Sequence, residues 1–326
     1  MNLYPYVFQP VYKEKIWGGN AFARLFGRDL PAEKVGESWE LADLAEGTTT
    51  LANGPDAGAT LTEMTAALGR PLLGPAAATG DGRFPLLLKF LDANDILSLQ
   101  VHPDAAAVRE IGPPAALKTE CWYVIESRDG YIYKGVREGV TPEQFRRAVE
   151  ENTVEEVVRR VGCRTGDFHY LPAGTVHALG PGLVVAEIQT PSDTTYRVTD
   201  WGRGREIHVE RSMQCIHFEP TDDACPGAAG ETLLETEYFS VALRRLAAAP
   251  GRHAPARRAF PQGRCIALMV LAAPDDTTVR HGGPVQRDVP VRAGQTILIP
   301  AGLRGAEIES AGEGECVWLE ASLPKG

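Results

Sequence analysis

Short apolar runs bounded by glycine, proline and aspartate dominate the chain. Such runs are typical of β-strands, and their number favours a mainly β body. The runs that most clearly predict strands are residues 84–91, 96–101, 121–126, 131–136, 183–188 and 296–299.

Helical patterns are fewer and concentrate in the N-terminal half. Residues 60–68 have apolar side chains on one face of a helix. A second helix is predicted to begin at Thr141, because Pro142 suits the first helical position and Gln144 completes a capping box. The charged stretch that follows predicts one or two amphipathic helices, so we expect a helical insert at about residues 141–161.

A segment poor in large side chains, residues 221–230, predicts a linker. A chain of 326 residues is long enough for one large domain or two modest ones. We place the boundary at the linker, which gives a larger domain of residues 1–220 and a smaller one of residues 221–326.

One pattern occurs twice with equal internal spacing. Arg-x-Gly followed by Pro-Ala-Gly covers residues 164–174 and again residues 292–302. Each copy predicts a strand that a glycine turn begins and a Pro-Gly turn ends. Gly305 holds the position in the second copy that His177 holds in the first. Matches this short also arise by chance; the interpretation we favour is two related barrels, of which only the first keeps metal ligands.

Composition excludes several classes of partner. The formal net charge of -10 argues against nucleic acid or an anionic membrane, and it means that an anionic substrate needs a local basic site. No stretch reaches the ~18 consecutive apolar residues that span a bilayer, and the N-terminus shows no secretory signal. Six cysteines without a C-x-x-C pair favour reduced thiols. We therefore expect a cytoplasmic protein that is a monomer or a homodimer.

Strand alternation directs Gln100 and His102 to one side of the sheet. Side chains two residues apart in a strand share a face, so the run 97–102 presents both of them together. His177 follows a Pro-x-Gly turn, which fixes where the next strand begins and directs its imidazole towards the barrel mouth.

Glu120 comes from another predicted strand, residues 117–124. Parity in this strand puts Lys118 and Glu120 on one face and Cys121 on the other. A cysteine is chemically suited to zinc, but free cysteines are usually buried, so we expect Cys121 in the core.

These residues predict a site for one divalent metal. The predicted donors are an amide, two imidazoles and a carboxylate: Gln100, His102, His177 and Glu120. Two histidines and one glutamate are an accepted catalytic zinc set that leaves a position for water or substrate, and the positive ion can polarise a substrate oxygen. Gln100 is either the fourth ligand or an outer residue that orients a ligand. The remaining histidines are expected to be packed or surface residues: His169, His208, His217, His253 and His281.

The motif G-x5-P-x-G-x2-H at residues 166–177 resembles the second motif of the cupin superfamily, except that Pro181 replaces its terminal asparagine. More specifically, the chain resembles the type I mannose-6-phosphate isomerases of the short bacterial kind. The resemblance covers about residues 5–205, and the C-terminal third carries no comparable motif. Its segments are Trp17-Gly18-Gly19, Gly36-Glu37-Ser38-Trp39-Glu40, Leu88-Lys89-Phe90-Leu91-Asp92-Ala93, Leu97-Ser98-Leu99-Gln100-Val101-His102-Pro103-Asp104, Lys118-Thr119-Glu120-Cys121-Trp122-Tyr123, Pro172-Ala173-Gly174-Thr175-Val176-His177, Glu187-Ile188-Gln189, Thr195-Tyr196-Arg197 and Asp200-Trp201-Gly202-Arg203.

The resemblance implies an aldose–ketose isomerase that interconverts mannose 6-phosphate and fructose 6-phosphate through an enediol. It also implies zinc as the cofactor and a fold of two cupin-like jelly-roll barrels, mainly β, with a few short helices in the N-terminal half. The residues that match the family's zinc ligands are Gln100, His102, Glu120 and His177.

An isomerase of this kind needs a base near C1 and C2 of the sugar. Glu187 is our first candidate, because it shares a face with Gln189 on a strand shortly after His177. Lys118, on the same face as Glu120, is the alternative base. The competing interpretation of Glu187 is an acceptor that orients a metal-bound histidine.

The substrate phosphate needs cations. Arg197 is the first candidate, because a guanidinium matches phosphate oxygens with two hydrogen bonds. Ser98 and Lys89 are further candidates, although a lysine in a strand can also simply extend its amine to solvent. Trp17 either lines the sugar pocket or packs in the core.

Two other functions remain open at this point. A cupin dioxygenase also uses histidine and carboxylate ligands, but it needs a redox metal such as Fe(II) and has no use for Lys89, Lys118 and Arg197. A non-enzymatic, metal-dependent sugar-phosphate-binding module would bind the substrate without exchanging its protons.

Overall fold

Strands dominate the computed structural model, which describes residues 1–220, 232–247, 255–285 and 288–324. In chain order the strands of this part are β1 (Tyr6–Gln9), β2 (Val11–Gly19), β3 (Val35–Leu41), β4 (Asp43–Leu44), β5 (Gly47–Thr48), β6 (Thr50–Leu51), β7 (Leu87–Ala93), β8 (Leu99–Val101), β9 (Glu120–Ser127), β10 (Tyr131–Val136), β11 (Val158–Gly162), β12 (Phe168–Leu171), β13 (His177–Leu179), β14 (Leu183–Gln189), β15 (Tyr196–Thr199), β16 (Thr232–Glu235), β17 (Ser240–Ala247), β18 (Ala256–Ala259), β19 (Ile266–Ala272), β20 (Thr278–Arg280), β21 (Asp288–Pro290), β22 (Thr296–Ile299), β23 (Glu307–Ser310) and β24 (Glu315–Ser322). The helices are α1 (Ala21–Phe26), α2 (Leu61–Leu68), α3 (Arg70–Leu73), α4 (Ala105–Ile111), α5 (Pro142–Glu150) and α6 (Val209–Cys215), with a 3-10 turn at Val154–Glu156. The prediction of a mainly β fold with few short helices is confirmed.

Two sheets that face each other form the first barrel. Their strand orders are β12-β9-β14-β7-β3-β2 and β11-β10-β13-β8-β15. The inner faces share one apolar cluster, to which the first sheet contributes Leu91 and Trp122 and the second contributes Ile132 and Leu179. All of the residues predicted to bind metal or substrate lie on these strands or on the loops that join them.

Two further sheets form a second barrel. Their strand orders are β16-β17-β24-β19-β22-β1-β6 and β18-β23-β20-β21. Trp318 from the first of these sheets and Ile308 from the second belong to the apolar cluster between them. The N-terminal strand β1 belongs to this sheet and not to the first barrel, because Tyr6 pairs with Leu298. Residues 221–230, where the domain boundary was predicted, lie outside the described residues.

The two barrels pack back to back through a central apolar cluster. Cys121 and Ile188 reach it from the six-stranded sheet, and Met269 and Leu319 reach it from the seven-stranded sheet. Cys121 is fully buried there with its Sγ 3.6 Å from the carbonyl oxygen of Ile188, so the prediction of a core cysteine is confirmed.

The first predicted helix is confirmed as α2, where Thr60 and Glu63 form a reciprocal capping box. Thr141 likewise caps α5. The predicted helical insert is wrong in its last part, because α5 ends at Glu150 and Val158–Gly162 forms strand β11 at the edge of a sheet. Within the described residues no helix is long and apolar enough to cross a bilayer.

The repeated sequence pattern forms the same turn in both barrels. The amide of Gly166 donates to the carbonyl of Val124 at 2.8 Å, and the amide of Gly294 donates to the carbonyl of Val270 at 2.8 Å. The strand that follows each turn occupies the same place, since β12-β9-β14 has its counterpart in β22-β19-β24.

The two copies differ at the position that bears the metal carboxylate. Leu171, the last residue of β12, pairs with Glu120. Ile299, the last residue of β22, pairs with Ile266. The second barrel therefore has a buried isoleucine where the first has Glu120.

Candidate active site

His102, Glu120 and His177 converge inside the first barrel. Glu120 begins β9 on one sheet, whereas His177 begins β13 and His102 follows β8 on the facing sheet. His177 Nε2 lies 3.1 Å from Glu120 Oε1, and His102 Nε2 lies 3.5 Å from Glu120 Oε2. One ligand atom from each residue falls within 4.8 Å of the others. Facing sheets thus bring together residues that are distant in sequence.

Backbone carbonyls fix the orientation of both imidazoles. His102 Nδ1 lies 2.9 Å from the carbonyl oxygen of Thr194, and His177 Nδ1 lies 2.9 Å from that of Thr175. Because a carbonyl oxygen only accepts, each Nδ1 carries the proton and donates it. Each Nε2 therefore presents its lone pair to Glu120, as a metal-binding histidine does.

The buried polar atoms at the centre lack hydrogen-bond partners. His102 Nε2 and both carboxylate oxygens of Glu120 have none within the described residues, because their close contacts do not have hydrogen-bond geometry. Burying such atoms unsatisfied costs free energy. A divalent cation at this point would satisfy all three, so the donor set fits a metal such as zinc.

The protonation states also suit a metal. Burial and the charge of Lys118 lower the pKa of His102 to about 3, so its imidazole is neutral near pH 7. Burial opposes ionisation of Glu120, but the positive charge of Lys118 outweighs it and holds the pKa of this carboxyl well below its ordinary value. A neutral imidazole and an ionised carboxylate are the forms that bind a metal.

Gln100 lies next to the three ligands. It is half-buried in the middle of β8, between His177 on one neighbouring strand and Arg197 on the other. Its Nε2 lies 3.4 Å from His177 Nε2. Rotation of the side-chain amide by half a turn would put its oxygen where Nε2 now lies. Both predicted roles, metal ligand and outer residue that orients a ligand, therefore stay predictions.

A cavity of about 160 Å³ adjoins the centre. Every residue predicted to bind substrate or act as base lines it, together with Gln100: Trp17, Lys89, Ser98, Lys118, Glu187 and Arg197. Further charged residues that the sequence patterns left without a role also line it: Lys15, Glu37, Asp193 and Arg205. These four residues lie within or next to the sequence segments that resemble the isomerase family, and this resemblance was the signal that could have identified them. No spacing rule links them to the metal ligands.

The two candidate bases have different partners. Glu187 Oε1 lies 3.2 Å from Lys89 Nζ, and its Oε2 accepts a hydrogen bond of 2.8 Å from Trp122 Nε1. Burial and the charge of Glu120 raise the pKa of Glu187. Lys118 Nζ lies 3.1 Å from Glu120 Oε2, so this lysine is paired with the metal-site carboxylate.

Glu187 contacts neither imidazole proton. Carbonyls of Thr194 and Thr175 accept those protons, and the partners of Glu187 are Lys89 and Trp122. The interpretation of Glu187 as the residue that orients a metal-bound histidine therefore has no support in this geometry.

Arg197 faces the cavity with donor capacity to spare. Its Nη1 donates to the carbonyl of Glu206 at 3.5 Å, and its Nε has no hydrogen-bond partner within the described residues. Burial lowers the pKa of this guanidinium. Trp17 is 3% exposed, lines the cavity and belongs to the apolar cluster of the barrel, so both of its predicted roles are compatible with its position.

The remaining histidines of the described residues take no part in the centre. Within the described residues, the only group that could hold a metal is His102, Glu120 and His177. His217 pairs at the surface with Asp104 at 3.1 Å. His253 lies outside the described residues.

Comparison with known proteins gives consistent matches. The family model for the catalytic domain of type I phosphomannose isomerase matches residues 6–123. The chain is 36% identical over 337 residues to mannose-6-phosphate isomerase ManA of Bacillus subtilis, with 97% of this chain and 99% of that protein covered. The crystal structure of mannose 6-phosphate isomerase from Bacillus subtilis is similar with a TM-score of 0.82 and 29% identity, covering 97% of this chain and 99% of that one. A zinc-bound mannose 6-phosphate isomerase structure shares the fold with a TM-score of 0.76 and 16% identity, covering 98% of this chain and 100% of that one.

Proposed function

The chain belongs to the type I mannose-6-phosphate isomerase family, and on this premise we propose that it interconverts mannose 6-phosphate and fructose 6-phosphate through an enediol. One observation carries the proposal. A centre of two histidines and one glutamate adjoins a cavity lined by cations and by a second buried glutamate, Glu187. This reaction needs an electrophile, a base and phosphate-binding cations, and the cavity offers a residue for each.

The metal is most simply zinc, bound by His102, Glu120 and His177 with Gln100 as the fourth ligand. When bound, it supplies a Lewis acid for the oxygens on C1 and C2 of the sugar. The carbonyl partners of the two imidazoles support this ligand set, because they hold each Nε2 towards Glu120.

Glu187 is the base in this proposal. It takes a proton from one of the two carbons and returns it to the other. Its raised pKa is closer to neutral pH than that of an ordinary glutamate, so its carboxylate is a stronger base. Lys118 is less suited to the role, because its Nζ is held by Glu120; it would instead donate to a substrate oxygen as charge develops there.

Lys89, Ser98 and Arg197 bind the phosphate in this proposal. Within the described residues Arg197 Nε has no hydrogen-bond partner, and Lys89 lines the same cavity. Concentrated cations here would attract an anionic sugar although the whole chain carries a formal charge of -10. Trp17 forms the apolar wall against which the sugar lies.

The competing functions differ in whether protons of the sugar exchange with water and in whether oxygen is consumed. An isomerase moves deuterium from heavy water into C1 or C2 of mannose 6-phosphate, whereas a binding module takes up the sugar without exchange. A dioxygenase consumes oxygen and has no need of a cation-lined cavity. Proton magnetic resonance of the sugar in heavy water, run beside an oxygen electrode, separates the three. Binding without exchange would contradict the proposal.

We also propose that residues 1–220 hold the catalytic domain, apart from β1 and β6, which join a sheet of the second barrel, and that residues 221–326 supply the rest of a cupin-like domain without metal ligands. Ile266 at the position equivalent to Glu120 supports the second part. Within the described residues the cysteines are buried thiols that form no disulfide, which supports a cytoplasmic location. The expectation of a monomer or homodimer stays a prediction.

A further inference from the structure

The substrate cavity has a deep end and an outer end. At the deep end the side chains of the metal-site residues His102, Glu120 and His177 are only 1–2% exposed. At the outer end Arg205 lines the cavity with a side chain that is 31% exposed. The carbons that react, C1 and C2, must lie at the deep end. The phosphate on C6, at the other end of the sugar, therefore lies towards the outer end.

Arg205 belongs to the loop that follows β15 and returns to it. The amide of His208 donates to the carbonyl of Arg197 at 2.7 Å, and the amide of Arg197 donates to His208 Nδ1 at 3.2 Å. The loop is also fastened to the segment before β8, because Trp201 Nε1 donates to the carbonyl of Leu97 at 2.6 Å. These contacts hold the loop so that Arg205 and Arg197 line the same cavity.

A buried carboxylate behind the cavity holds Arg205. Asp200 is 2% exposed; one of its oxygens accepts from Arg205 Nε at 2.8 Å, and the other accepts from Arg205 Nη2. Asp200 also accepts from Arg203 Nη2 at 2.9 Å. One carboxylate thus serves two guanidiniums, which leaves one positive charge uncompensated. Of these three residues only Arg205 lines the cavity, and its Nη1 makes no hydrogen bond to another described residue.

Lys15 is also at the outer end, but its charge is compensated inside the cavity. Its Nζ lies 2.9 Å from Glu37 Oε1, and both residues line the cavity. The pair therefore offers an anion little net attraction. Arg205 differs because its carboxylate partner is not among the residues that line the cavity.

Two guanidiniums in one small cavity repel each other unless an anion lies between them. Burial and the charge of Arg205 both lower the pKa of Arg197, as a nearby like charge does. A phosphate ester carries about two negative charges and three terminal oxygens, so it can accept hydrogen bonds from both guanidiniums at once.

Resting on the proposed isomerase function, we propose that Arg205 is a substrate-binding residue that forms, together with Arg197, a pair of guanidiniums for the phosphate of the sugar. It adds to Lys89 and Ser98 a cation at the outer end of the cavity. Asp200 holds one edge of the Arg205 guanidinium, and Nη1 is the group that binds a phosphate oxygen.

Titration of the zinc-loaded protein with mannitol 6-phosphate in a calorimeter tests the proposal without requiring turnover. This probe keeps the phosphate but has alcohols at C1 and C2, so it cannot be isomerised. Arg205→Gln is expected to weaken its binding at least ~10-fold, the scale of one lost hydrogen bond to a charged group. Wild-type affinity in Arg205→Gln, or no binding by the wild-type protein, would overturn the proposal.

Arg245→Gln is the matched control for the loss of charge. Arg245 is also paired with a carboxylate, since its Nη1 lies 2.7 Å from Glu315 Oε2, but it belongs to the second barrel and does not line the cavity. This variant should bind mannitol 6-phosphate as the wild type does. An equal loss in both variants would contradict the proposal, because net charge alone would then explain the effect.

Arg203→Gln separates phosphate binding from support of the loop. Arg203 holds the same carboxylate, Asp200, and donates to the carbonyl of Ile96 at 2.6 Å, but it does not line the cavity. If Arg205 only held the loop in place, Arg203→Gln would weaken probe binding as much as Arg205→Gln. We expect a clearly smaller loss in Arg203→Gln, and equal losses would contradict the proposal.

Arg205→Lys guards against a folding defect in Arg205→Gln, because it retains the positive charge. A lysine has no planar fork with which to contact Asp200 and the phosphate through separate edges, so an intermediate affinity is expected. If Arg205→Gln does not fold, wild-type affinity in Arg205→Lys is the contradicting result. A wild-type protein that binds the probe but does not convert mannose 6-phosphate would refute the isomerase function, and the titration would still decide the role of Arg205.

Discussion

His102 and His177 are oriented by carbonyl groups of Thr194 and Thr175, which leave both Nε2 lone pairs facing Glu120. Strand parity was sufficient to predict that Glu120 faces the site and that Cys121 faces the core. The partner of His102 was not predictable in this way, because Thr194 is 92 residues away along the chain. Contacts between distant loops leave no periodic signal in a sequence.

The role of Glu187 as base predicts a loss of turnover without a loss of metal. Glu187→Gln should reduce kcat by at least ~100-fold, the usual scale for a general base. Metal content should stay that of the wild type, because Glu187 contacts neither imidazole. Steady-state kinetics with metal analysis of the same samples measure both. Near-normal turnover would reject Glu187 as the base and leave Lys118 as the candidate.

The environment of Glu187 also predicts a pH dependence. Burial and the charge of Glu120 raise its pKa above the ordinary 4.5. A base must be ionised, so kcat/KM should be full above this raised pKa and fall as the pH decreases through it. The test is kcat/KM against pH on protein whose metal content is checked at each point. A flat profile down to about pH 4.5, with metal retained, would contradict the assignment.

The elements show where local patterns suffice and where they mislead. The cap at Thr141 was predictable because a capping box involves only neighbouring residues. Strand β11 was mistaken for helix because it is an edge strand, in which charged side chains are tolerated on the open side. Its sequence of valines and arginines resembles an amphipathic helix until its pairing with β10 is known.

The bulge in β2 gives a prediction for one glycine. The pairing register shifts between Glu14 and Gly19, both of which pair with Val35, so the intervening residues bulge from the strand. In Gly36→Ala the new Cβ would lie 2.6 Å from Trp17 Cζ3. This distance is too short for two carbon atoms, so the bulge and the side chains that it extends into the cavity must shift. We expect a higher KM for mannose 6-phosphate.

A second glycine provides the control for this substitution. Gly162→Ala also adds a methyl group within a strand, but apart from its chain neighbours no described residue comes within 4 Å of the new Cβ. Its kinetics should match those of the wild type. Wild-type KM for Gly36→Ala would show that the bulge does not shape the cavity.

The whole molecule depends on long-range pairing that the sequence patterns did not reveal. The repeat indicated a second strand-turn unit, and the structure has the same turn there. That Tyr6 pairs with Leu298, so that the N-terminal strand completes the second barrel, could not be predicted, because the partners are nearly a full chain apart.

The central apolar cluster predicts that the barrels fold together. Residues from both barrels form it, so a fragment of residues 1–220 would expose one side of it to water. We expect this fragment to unfold without a cooperative transition, while the intact chain unfolds in a single one. Circular dichroism during urea unfolding measures both. A cooperative transition of the fragment with zinc bound would contradict the shared core.

The most direct test of the central claim is a coupled assay with mannose 6-phosphate, run on the protein as isolated, after chelation, and after zinc is restored. The account predicts formation of fructose 6-phosphate, its loss on chelation and its recovery with zinc. The His177→Ala variant should not recover, because one of the three converging ligands is gone. Absence of activity in all three conditions, or activity that survives complete removal of the metal, would contradict it.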